Sequence, residues 1–423
     1  CGLRQPRTRM ITLTQARERA AAADPLGADR LTLQEAIGGV LLDPVRALQD
    51  IPHASTSAMD GWALAAEPLS SSAGEPEWSL RPEQANSPAD RPAPLLPGEA
   101  TEVVTGSVVP TGTHSVLRTE HGITEGPRLR ALSTSPDTAP QRNVRSAGAE
   151  CRAEDQLVPA GVVLTPARAA VAAVAGHDQL AVIRRPRVQL VLTGAEVTTS
   201  GTPAPGEVRD VFGLALPQML QEMGAAGVAA QRLGDDPETL AATLRQISEA
   251  GSADLIITSG GTAHSRADAL RPALHALGAE LTVDSVDMRP GHPVLLARLP
   301  RRKEPLYLLG LPGNPLAGFS ALTALGVPLL RALRGVPAAE RTPTLRLTAG
   351  VRLPGARRGV RLLPVRRSPE GVLPAGHSRS HMMRGLAQSQ ALAIVPEGGL
   401  APGDPVDCLL VPGQRGEDFE WDD

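Results

Sequence analysis

Between residues 187 and 335, short apolar runs alternate with segments of helical periodicity, and this alternation constrains the fold more than any other feature of the chain. Short apolar runs of this kind are typical of strands that are buried on both faces. Strands that alternate with helices predict a parallel α/β sheet with helices on both faces. The three predicted strands are 188–192, 254–258 and 306–311.

The segment 237–250 has the most regular helical pattern between those runs. Asp236 precedes it as a predicted N-cap, and Pro237 lies in the first turn, where proline is tolerated. Its apolar residues recur at helical spacing, which predicts that one face packs against the sheet. That face consists of Leu240, Leu244 and Ile247.

The whole chain, at 423 residues, is longer than one hydrophobic core usually serves. Thr32 and Glu35 have capping-box spacing, which predicts a helix that ends by Pro44. Between 67 and 98 the chain is crowded with Pro, Ser and Gly, which predicts loops and short strands. After Pro343, short strand-like runs predict a small all-β domain. The apolar face of the first helix would consist of Leu33, Ile37, Val40 and Leu41.

Charge and cysteine usage exclude several classes of function. Formal net charge is -3, with 42 Lys+Arg against 45 Asp+Glu and no long run of either sign, so no surface for nucleic acid or an anionic membrane is predicted. No apolar run approaches the roughly 20 residues of a membrane-spanning helix. Cys1, Cys151 and Cys408 lie far apart, which gives neither a disulfide framework nor paired metal-ligand spacing. We expect a cytoplasmic chain whose partners are small molecules or protein.

Each of the three predicted strands ends in a glycine-containing loop. In an open α/β sheet, ligands bind beyond the carboxyl ends of the strands. Glycines let backbone amides approach an anion, and Asn314 followed by Pro315 can start a helix whose positive end favours phosphate. Each loop alone is also what packing requires, but three together predict an anionic, phosphate-bearing ligand. The loops are Thr193-Gly194-Ala195-Glu196, Ser259-Gly260-Gly261-Thr262 and Leu311-Pro312-Gly313-Asn314-Pro315.

With the stretch Ser57-Ala58-Met59-Asp60-Gly61-Trp62-Ala63, these loops carry a family resemblance over nearly the whole chain. The chain resembles the molybdopterin molybdotransferase family, the MoeA proteins, and the homologous E domain of gephyrin. The S-x-M-D-G-[YW]-A and L-P-G-N-P stretches are specific, and their order and separation match that family. Further similar stretches are Thr105-Gly106, Asp268 behind the S-G-G loop, Arg289-Pro290-Gly291-His292-Pro293, Arg361 with Arg366, and Ser380 with Met382 and Leu386.

The resemblance implies a multidomain fold of α/β and β classes, assembled as an elongated homodimer. Its α/β domain would resemble the MogA adenylyltransferase and have a parallel sheet. The implied domains are a helical N-terminal linker domain of residues 1–50 and 141–180, an inserted β-rich domain of residues 51–140, the MogA-like molybdopterin-binding α/β domain of residues 181–336, and a C-terminal β-barrel domain of residues 337–423.

The resemblance also implies a transferase of molybdenum cofactor biosynthesis. Adenylylated molybdopterin and molybdate would be converted, with Mg2+, to molybdenum cofactor and AMP, and a MogA-like adenylyltransferase is a candidate protein partner. Across the homodimer, Asp60 and Thr105 of one chain would face Gly260, Asn314 and Arg289 of the other.

By their places in the family motifs, the implied catalytic residues are Asp60 and Asp268. The implied metal ligands are Asp60, Glu196 and Asp268, since Mg2+ prefers hard carboxylate oxygens and keeps several waters. The implied substrate-binding residues are Thr105, Gly260, Gly261, Arg289, His292, Pro312, Gly313, Asn314, Pro315, Arg361 and Ser380.

Several positions depart from the family pattern. Ala195 and Ala149 stand where the family has carboxylates, and Phe212 stands where it usually has asparagine. Arg289 and His292 replace two lysines. A guanidinium keeps the charge and adds a fork suited to oxyanions, whereas an unperturbed histidine is mostly neutral at pH 7.

The departures leave other functions open. A paralogue with weakened catalysis would act as a pterin- or nucleotide-binding assembly protein. A generic nucleotide enzyme would rest on analogy of fold alone. A transition-metal site is a further hypothesis, although its histidines lack close ligand spacing: His264, His292, His377 and His381.

Overall fold

The computed structural model describes residues 10–69, 75–81, 92–260, 262, 269–301 and 304–414. The first region starts with a helix whose capping box joins Thr12 to Gln15. A second capping box joins Thr32 to Glu35, as predicted. The elements of this region are α1 (Leu13–Ala21), β1 (Ala28–Thr32), α2 (Leu33–Ala36), β2 (Val40–Leu41) and β3 (Val45–Arg46).

The inserted region is rich in strands, as its turn residues predicted. Six of its strands form one sheet in the order β8-β5-β7-β6-β10-β9, and β11 pairs with β4. Because β11 lies at Val144–Arg145, pairing within this region continues past residue 140. The strands are β4 (Thr56–Ser57), β5 (Gly61–Ala65), β6 (Glu77–Leu80), β7 (Glu99–Val103), β8 (Thr113–Arg118), β9 (Gly122–Glu125), β10 (Arg128–Ala131) and β11 (Val144–Arg145), with 3-10 turns at Thr119–His121 and Pro136–Thr138.

The chain then returns to the first region through β12 (Gln156–Val158), α3 (Pro166–Val174) and β13 (Gln179–Ile183). Strand β13 lies between β1 and β2, and Leu41 pairs with Val182. The prediction of one helix from Thr32 to Pro44 was therefore wrong beyond α2. Gly38 has a positive φ of 87°, which ends the helix, and the apolar residues after it pair as a strand instead.

The α/β region has the predicted sheet with helices on both faces. Its strand order is β17-β14-β18-β22-β21-β19. The pairings among β17, β14, β18 and β22 are parallel, whereas β21 and β19 are antiparallel. The elements are β14 (Arg187–Leu192), β15 (Val197–Thr198), β16 (Val208–Arg209), α4 (Phe212–Glu222), β17 (Gly227–Arg232), α5 (Pro237–Ala250), β18 (Leu255–Ser259), α6 (Leu270–Ala276), β19 (Glu280–Asp284), β20 (Met288–Arg289), β21 (Leu295–Leu299), β22 (Leu306–Leu311), α7 (Pro315–Ala321), a π-helical turn Leu322–Gly326 and α8 (Val327–Leu333).

Helices α7 and α8 form one continuous helix, Pro315–Leu333, of 19 residues. It is long and apolar enough to cross a membrane, which corrects the expectation that no apolar run approaches that length. However, 89% of its most apolar window is buried inside the protein. The helix packs against α1 and the sheet, so its apolar composition serves the core.

The C-terminal region is a small barrel. Strands follow the order β24-β26-β27-β23, and β25 pairs with the other edge of β24. A bridge between Ala349 and Val372 brings β23 back to β25, and the Gly350 amide donates to the Val372 carbonyl at 3.0 Å. Apolar residues such as Leu363 and Cys408 fill the interior. The elements are β23 (Leu345–Thr348), β24 (Val360–Ser368), β25 (Gly371–Pro374), α9 (Arg384–Ala387), β26 (Ala391–Val395) and β27 (Pro405–Leu410).

Candidate functional site

A cleft of about 380 Å³ lies where the α/β region meets the barrel. Strand β20 of the α/β region pairs in parallel with β24 of the barrel, so that Arg289 lies opposite Arg361. This pairing brings two guanidinium groups from distant parts of the sequence to one cleft. This cleft is the smaller of two described below, and it is lined by Arg289, Pro290, Gly291, His292, Pro293, Pro312, Asn314, Ala317, Gly355, Ala356, Arg361, Ser378 and Ser380.

The serine loop of the barrel forms one wall of the smaller cleft. Arg361 Nη2 donates to Ser378 Oγ at 2.9 Å, which orients the guanidinium. The Ser380 carbonyl accepts from the Ala317 amide at 3.2 Å and so attaches the loop to the start of α7. The described lining residues include two arginines and no carboxylate. This arrangement suits a small oxyanion, because guanidinium groups bind oxyanions in two-pronged geometry.

Six predicted substrate-binding residues thus meet in the smaller cleft: Arg289, His292, Pro312, Asn314, Arg361 and Ser380. Asn314 is the N-cap residue of α7 and Pro315 is its first residue, as expected. The Asn314 side chain makes no capping hydrogen bond. Asn314 also lines the neighbouring cleft, so this residue lies between the two clefts.

A larger cleft of about 1190 Å³ lies beyond the carboxyl ends of β14, β18 and β22. All three predicted loops line it, which confirms that they converge. Its lining includes Thr193, Gly194, Glu196, Ser259, Gly260, Pro312, Gly313, Asn314 and Pro315. His381 and Met383 of the barrel lie on the same cleft.

The amide of Gly260 does not face this cleft as a free donor. It donates to the Leu311 carbonyl at 2.9 Å and so continues the pairing between β18 and β22. Gly260 has a positive φ of 82°, and a side chain there would approach Thr193 Oγ1 to 3.1 Å. The glycine therefore serves a close turn, and the expectation that its amide cradles phosphate is corrected. Gly261 lies outside the described residues.

The larger cleft also holds charged residues that were given no binding role from the sequence, although Asp210 has a family-like position. Arg232 forms an ion pair with Asp210, whose other oxygen accepts the Gly213 amide at 2.9 Å. Asp235 Oδ2 accepts the Ala195 amide at 2.9 Å. Asp235 follows β17 at the same edge of the sheet as the three loops, and this position was the signal that would have identified it.

Asp236 is committed to the start of α5. Its side chain accepts from the Thr239 hydroxyl and from the Thr239 amide at 2.8 Å, and these bonds hold the pKa of the Asp236 carboxyl below its usual range. Asp236 is thus an N-cap, as predicted. The residues of the predicted apolar face, Leu240, Leu244 and Ile247, are buried. The predicted helix, its cap and its buried face are therefore all confirmed.

Asp60 and Thr105 face each other in the inserted region. The Thr105 amide donates to Asp60 Oδ1 at 2.7 Å and the Thr105 hydroxyl at 3.0 Å, and both bonds hold the pKa of the Asp60 carboxyl below its usual range. Gly61 is required beside it, since a Cβ there would lie 1.9 Å from the Leu117 carbonyl oxygen. Neither Asp60 nor Thr105 lines either cleft of the same chain.

The two predicted metal ligands that the structure describes, Asp60 and Glu196, do not line the same cleft of one chain. Glu196 lines the larger cleft, Asp60 lines neither, and Asp268 lies outside the described residues. Within the described parts of the chain, no three His, Cys, Asp or Glu side chains are grouped so that they could hold a metal ion. Of the histidines considered for a transition metal, His292 and His381 line different clefts, His377 lines neither, and His264 is outside the described residues.

Comparison with known proteins shows which family the chain is similar to. Residues 11–176 match the MoeA N-terminal region (domain I and II), residues 189–332 match a probable molybdopterin binding domain, and residues 344–411 match the MoeA C-terminal region (domain IV). A molybdopterin molybdenumtransferase of Nostoc sp. (strain PCC 7120 / SAG 25.82 / UTEX 2576) is 35% identical over 306 residues, which are 72% of this chain and 69% of the relative. Molybdopterin molybdenumtransferase 2 of Mycobacterium tuberculosis (strain ATCC 25618 / H37Rv) is 31% identical over 374 residues, 86% of this chain and 90% of the relative.

A solved structure of the molybdopterin biosynthesis MoeA protein from Pyrococcus horikosii has the same overall fold. It superposes with a TM-score of 0.76 at 22% identity, over 96% of this chain and 100% of its own. At that identity the match supports the fold alone.

Proposed function

Because this chain belongs to the MoeA family, we propose that it is a molybdopterin molybdenumtransferase, a transferase of molybdenum cofactor biosynthesis. Its substrates would be adenylylated molybdopterin and molybdate, and its products molybdenum cofactor and AMP. The observation that carries this proposal is the convergence of Arg289, Arg361 and Asn314 on a cleft that adjoins a second, larger one. Two anionic substrates would thus have separate and adjacent places.

The smaller cleft is the proposed molybdate site. Arg289 and Arg361 supply positive charge and forked donors, and Asn314 adds an amide. The walls come from two domains, so a small ion would be enclosed only when the barrel and the α/β region are docked.

The larger cleft is the proposed site of the adenylylated pterin. It is open to the loops after three parallel strands, where phosphate-bearing ligands bind in such sheets. Pro312, Asn314 and Pro293 line both clefts and form the wall between them. Across this wall the pterin dithiolene would meet the oxyanion, while its phosphates would stay on the larger side.

Among the described residues, no group of three carboxylate, histidine or cysteine side chains could hold Mg2+ by itself, although Glu196 also lines the larger cleft. Asp210, Asp235 and Asp236 are already engaged by Arg232, the Ala195 amide and Thr239. Mg2+ often takes one or two protein carboxylates and completes its shell with water and phosphate oxygens. We therefore propose Mg2+ as a requirement that enters with the phosphates of the substrate.

We also propose a homodimer in which Asp60 and Thr105 of one chain face the clefts of the other. Three apolar side chains around these two residues are exposed in the single chain, namely Met59 at 37%, Val104 at 63% and Val108 at 38%. A partner surface would cover them, and exposed apolar groups clustered beside polar ones often mark interfaces. A MogA-like adenylyltransferase that delivers the substrate is the proposed further partner.

Complementation between inactive variants tests the shared site. At a molybdate concentration well below the weakened affinity of Arg361→Ala, Asp60→Asn and Arg361→Ala would each have little activity, but a mixture that has exchanged subunits would contain heterodimers with one intact site. Random exchange predicts about a quarter of wild-type activity. A mixture that stays inactive although differently labelled subunits are shown to have exchanged would contradict the shared site. A monomer at micromolar concentration, measured by light scattering, would contradict the dimer.

The proposed activity is tested with purified protein, adenylylated molybdopterin, molybdate and Mg2+. Formation of molybdenum cofactor together with AMP release is the expected result. A folded protein that binds the pterin but forms no cofactor would instead support the non-catalytic assembly protein. That alternative is not favoured, because relatives matched over most of their length are named transferases. The buried, free Cys151 and Cys408 accord with the proposed cytoplasmic location.

A further inference from the structure

Phe212 is an aromatic residue in the lining of the larger cleft. It is the first residue of α4 and lies directly after the loop that carries Asp210. Phe212 is only 6% exposed, so most of its ring belongs to the core, and its small exposed part lies in the lining of the cleft. A residue so placed contributes apolar surface and no hydrogen bond.

Two residues of α7 hold the Phe212 ring in place. Gly318 leaves the space for it, because a Cβ at that position would lie 2.4 Å from Phe212 Cζ. The Phe319 ring packs against it with a centroid separation of 5.4 Å and an interplanar angle of 40°. Phe319 is 2% exposed and does not line the cleft. The orientation of Phe212 is therefore set from the core side, independently of any ligand.

Other apolar residues, from both faces of the sheet, also line the larger cleft. Val211, Leu240, Leu270 and Pro312 line the same space, while the Asp210 carboxylate beside it is neutralised by Arg232. The cleft thus has an apolar part next to its charged loops. A ligand with a planar ring and a phosphate would place its ring against the apolar part and its phosphate against the charged loops.

We propose that Phe212 is a specificity-determining residue that recognises the planar ring of the phosphate-bearing ligand through an edge-to-face contact. Aromatic pairs favour this geometry because the positive ring edge meets the negative face of the other ring. A ligand of the same charge without a ring would not gain from Phe212. The inference rests on the proposed function, since it concerns how the same cleft selects its substrate.

The test compares AMP with ribose 5-phosphate by isothermal titration calorimetry, because the two ligands share sugar and phosphate and differ in the base. Phe212→Leu and Phe212→Met keep apolar volume but remove the ring. Each is expected to weaken AMP binding by about three- to tenfold and to leave ribose 5-phosphate binding unchanged. Leu214→Asn, on the same helix but 82% exposed, is the matched control and should change neither affinity.

Equal loss of both affinities in the Phe212 variants, or no loss of AMP affinity in variants with wild-type melting temperature, would overturn the inference. Circular dichroism and molybdate binding at the smaller cleft report whether the fold is retained. A wild-type protein that binds neither AMP nor ribose 5-phosphate would overturn the proposed function of the cleft itself, which distinguishes the two failures.

Discussion

The carboxylate of Asp235 accepts a hydrogen bond from the backbone amide of Ala195 at 2.9 Å, so a negative group already lies against the position where the family resemblance implies a carboxylate. Asp235 and Glu196 line the same cleft. The loop after β14, which has an alanine at residue 195, is therefore held by a carboxylate from the neighbouring loop after β17. Reintroducing an aspartate at residue 195 would place two like charges side by side.

The first prediction concerns this contact. Asp235→Ala should speed hydrogen exchange of the Ala195 amide by about fivefold or more, the equivalent of roughly 1 kcal/mol for a lost hydrogen bond. Asp235→Asn keeps an acceptor and should preserve most of the protection. Glu207→Ala is the matched control, because the Glu207 carboxylate accepts a hydrogen bond from the Ala204 amide at the same distance of 2.9 Å outside the cleft. It should leave exchange of the Ala195 amide unchanged. Unchanged exchange at Ala195 in Asp235→Ala, measured by mass spectrometry, would refute the role of this contact.

The second prediction concerns the ionisation of Asp60. Thr105→Val removes the hydroxyl bond of 3.0 Å and leaves the amide bond of 2.7 Å. The pKa of the Asp60 carboxyl should then rise toward its usual range, because one donor that favours the charged form is lost. If ionised Asp60 is needed, the acidic limb of kcat/KM should move to higher pH, by less than about one pH unit. Thr111→Val, on an exposed turn of the same region, should leave the profile in place; an unshifted limb in Thr105→Val would argue against the prediction.

The third prediction concerns Arg361 of the smaller cleft. Arg361→Ala should weaken molybdate binding by about tenfold or more, since a hydrogen bond to a charged group contributes about 1.5 to 3 kcal/mol. Arg361→Lys should recover only part of the affinity, because the forked geometry is lost. Calorimetry with molybdate measures both, and Arg352→Ala, an exposed arginine of the barrel, is the control. Wild-type affinity in Arg361→Ala would place the oxyanion elsewhere.

The fourth prediction concerns acid stability. Asp254 is buried before β18, and burial alone would raise the pKa of its carboxyl; bidentate bonds from Arg184 at 2.7 and 3.0 Å, with Arg187, outweigh this and lower the pKa to about 2. A lowered folded-state pKa gives stability that is present above the unfolded pKa of about 3.9 and is lost as pH falls toward 2. Asp254→Asn should therefore lower stability at pH 7, by about 3 kcal/mol, and flatten its pH dependence below pH 4. Urea unfolding at pH 7, 4 and 3 measures the free energy of unfolding. Asp407→Asn, which removes the exposed ion pair with Arg346, is the control. If the free energy of unfolding of Asp254→Asn depends on pH below pH 4 as steeply as that of the wild type, the prediction is contradicted.

Much of the fold followed from local pattern. Helix α5 begins at Pro237 after the Asp236 cap and buries the predicted face, because capping and periodicity act over a few residues. The prediction of one helix up to Pro44 was wrong because a distant contact decides the structure there. Leu41 lies in a strand that pairs with Val182, a residue remote in the sequence. The antiparallel β21 and β19 likewise depend on pairing partners that no local pattern identifies.

The candidate site divides in the same way. By itself the sequence determined the strand ends, the glycine turns and the residue types of the loops, because strand periodicity, φ preferences and side-chain chemistry are properties of short segments. Only the tertiary structure decided that Arg289 lies opposite Arg361 and that Asp235 accepts a hydrogen bond from the Ala195 amide. It also decided that the Gly260 amide donates to the Leu311 carbonyl. These contacts join separate segments through sheet pairing and domain docking, and their geometry is set by how all the segments pack together, which is a property of the whole chain.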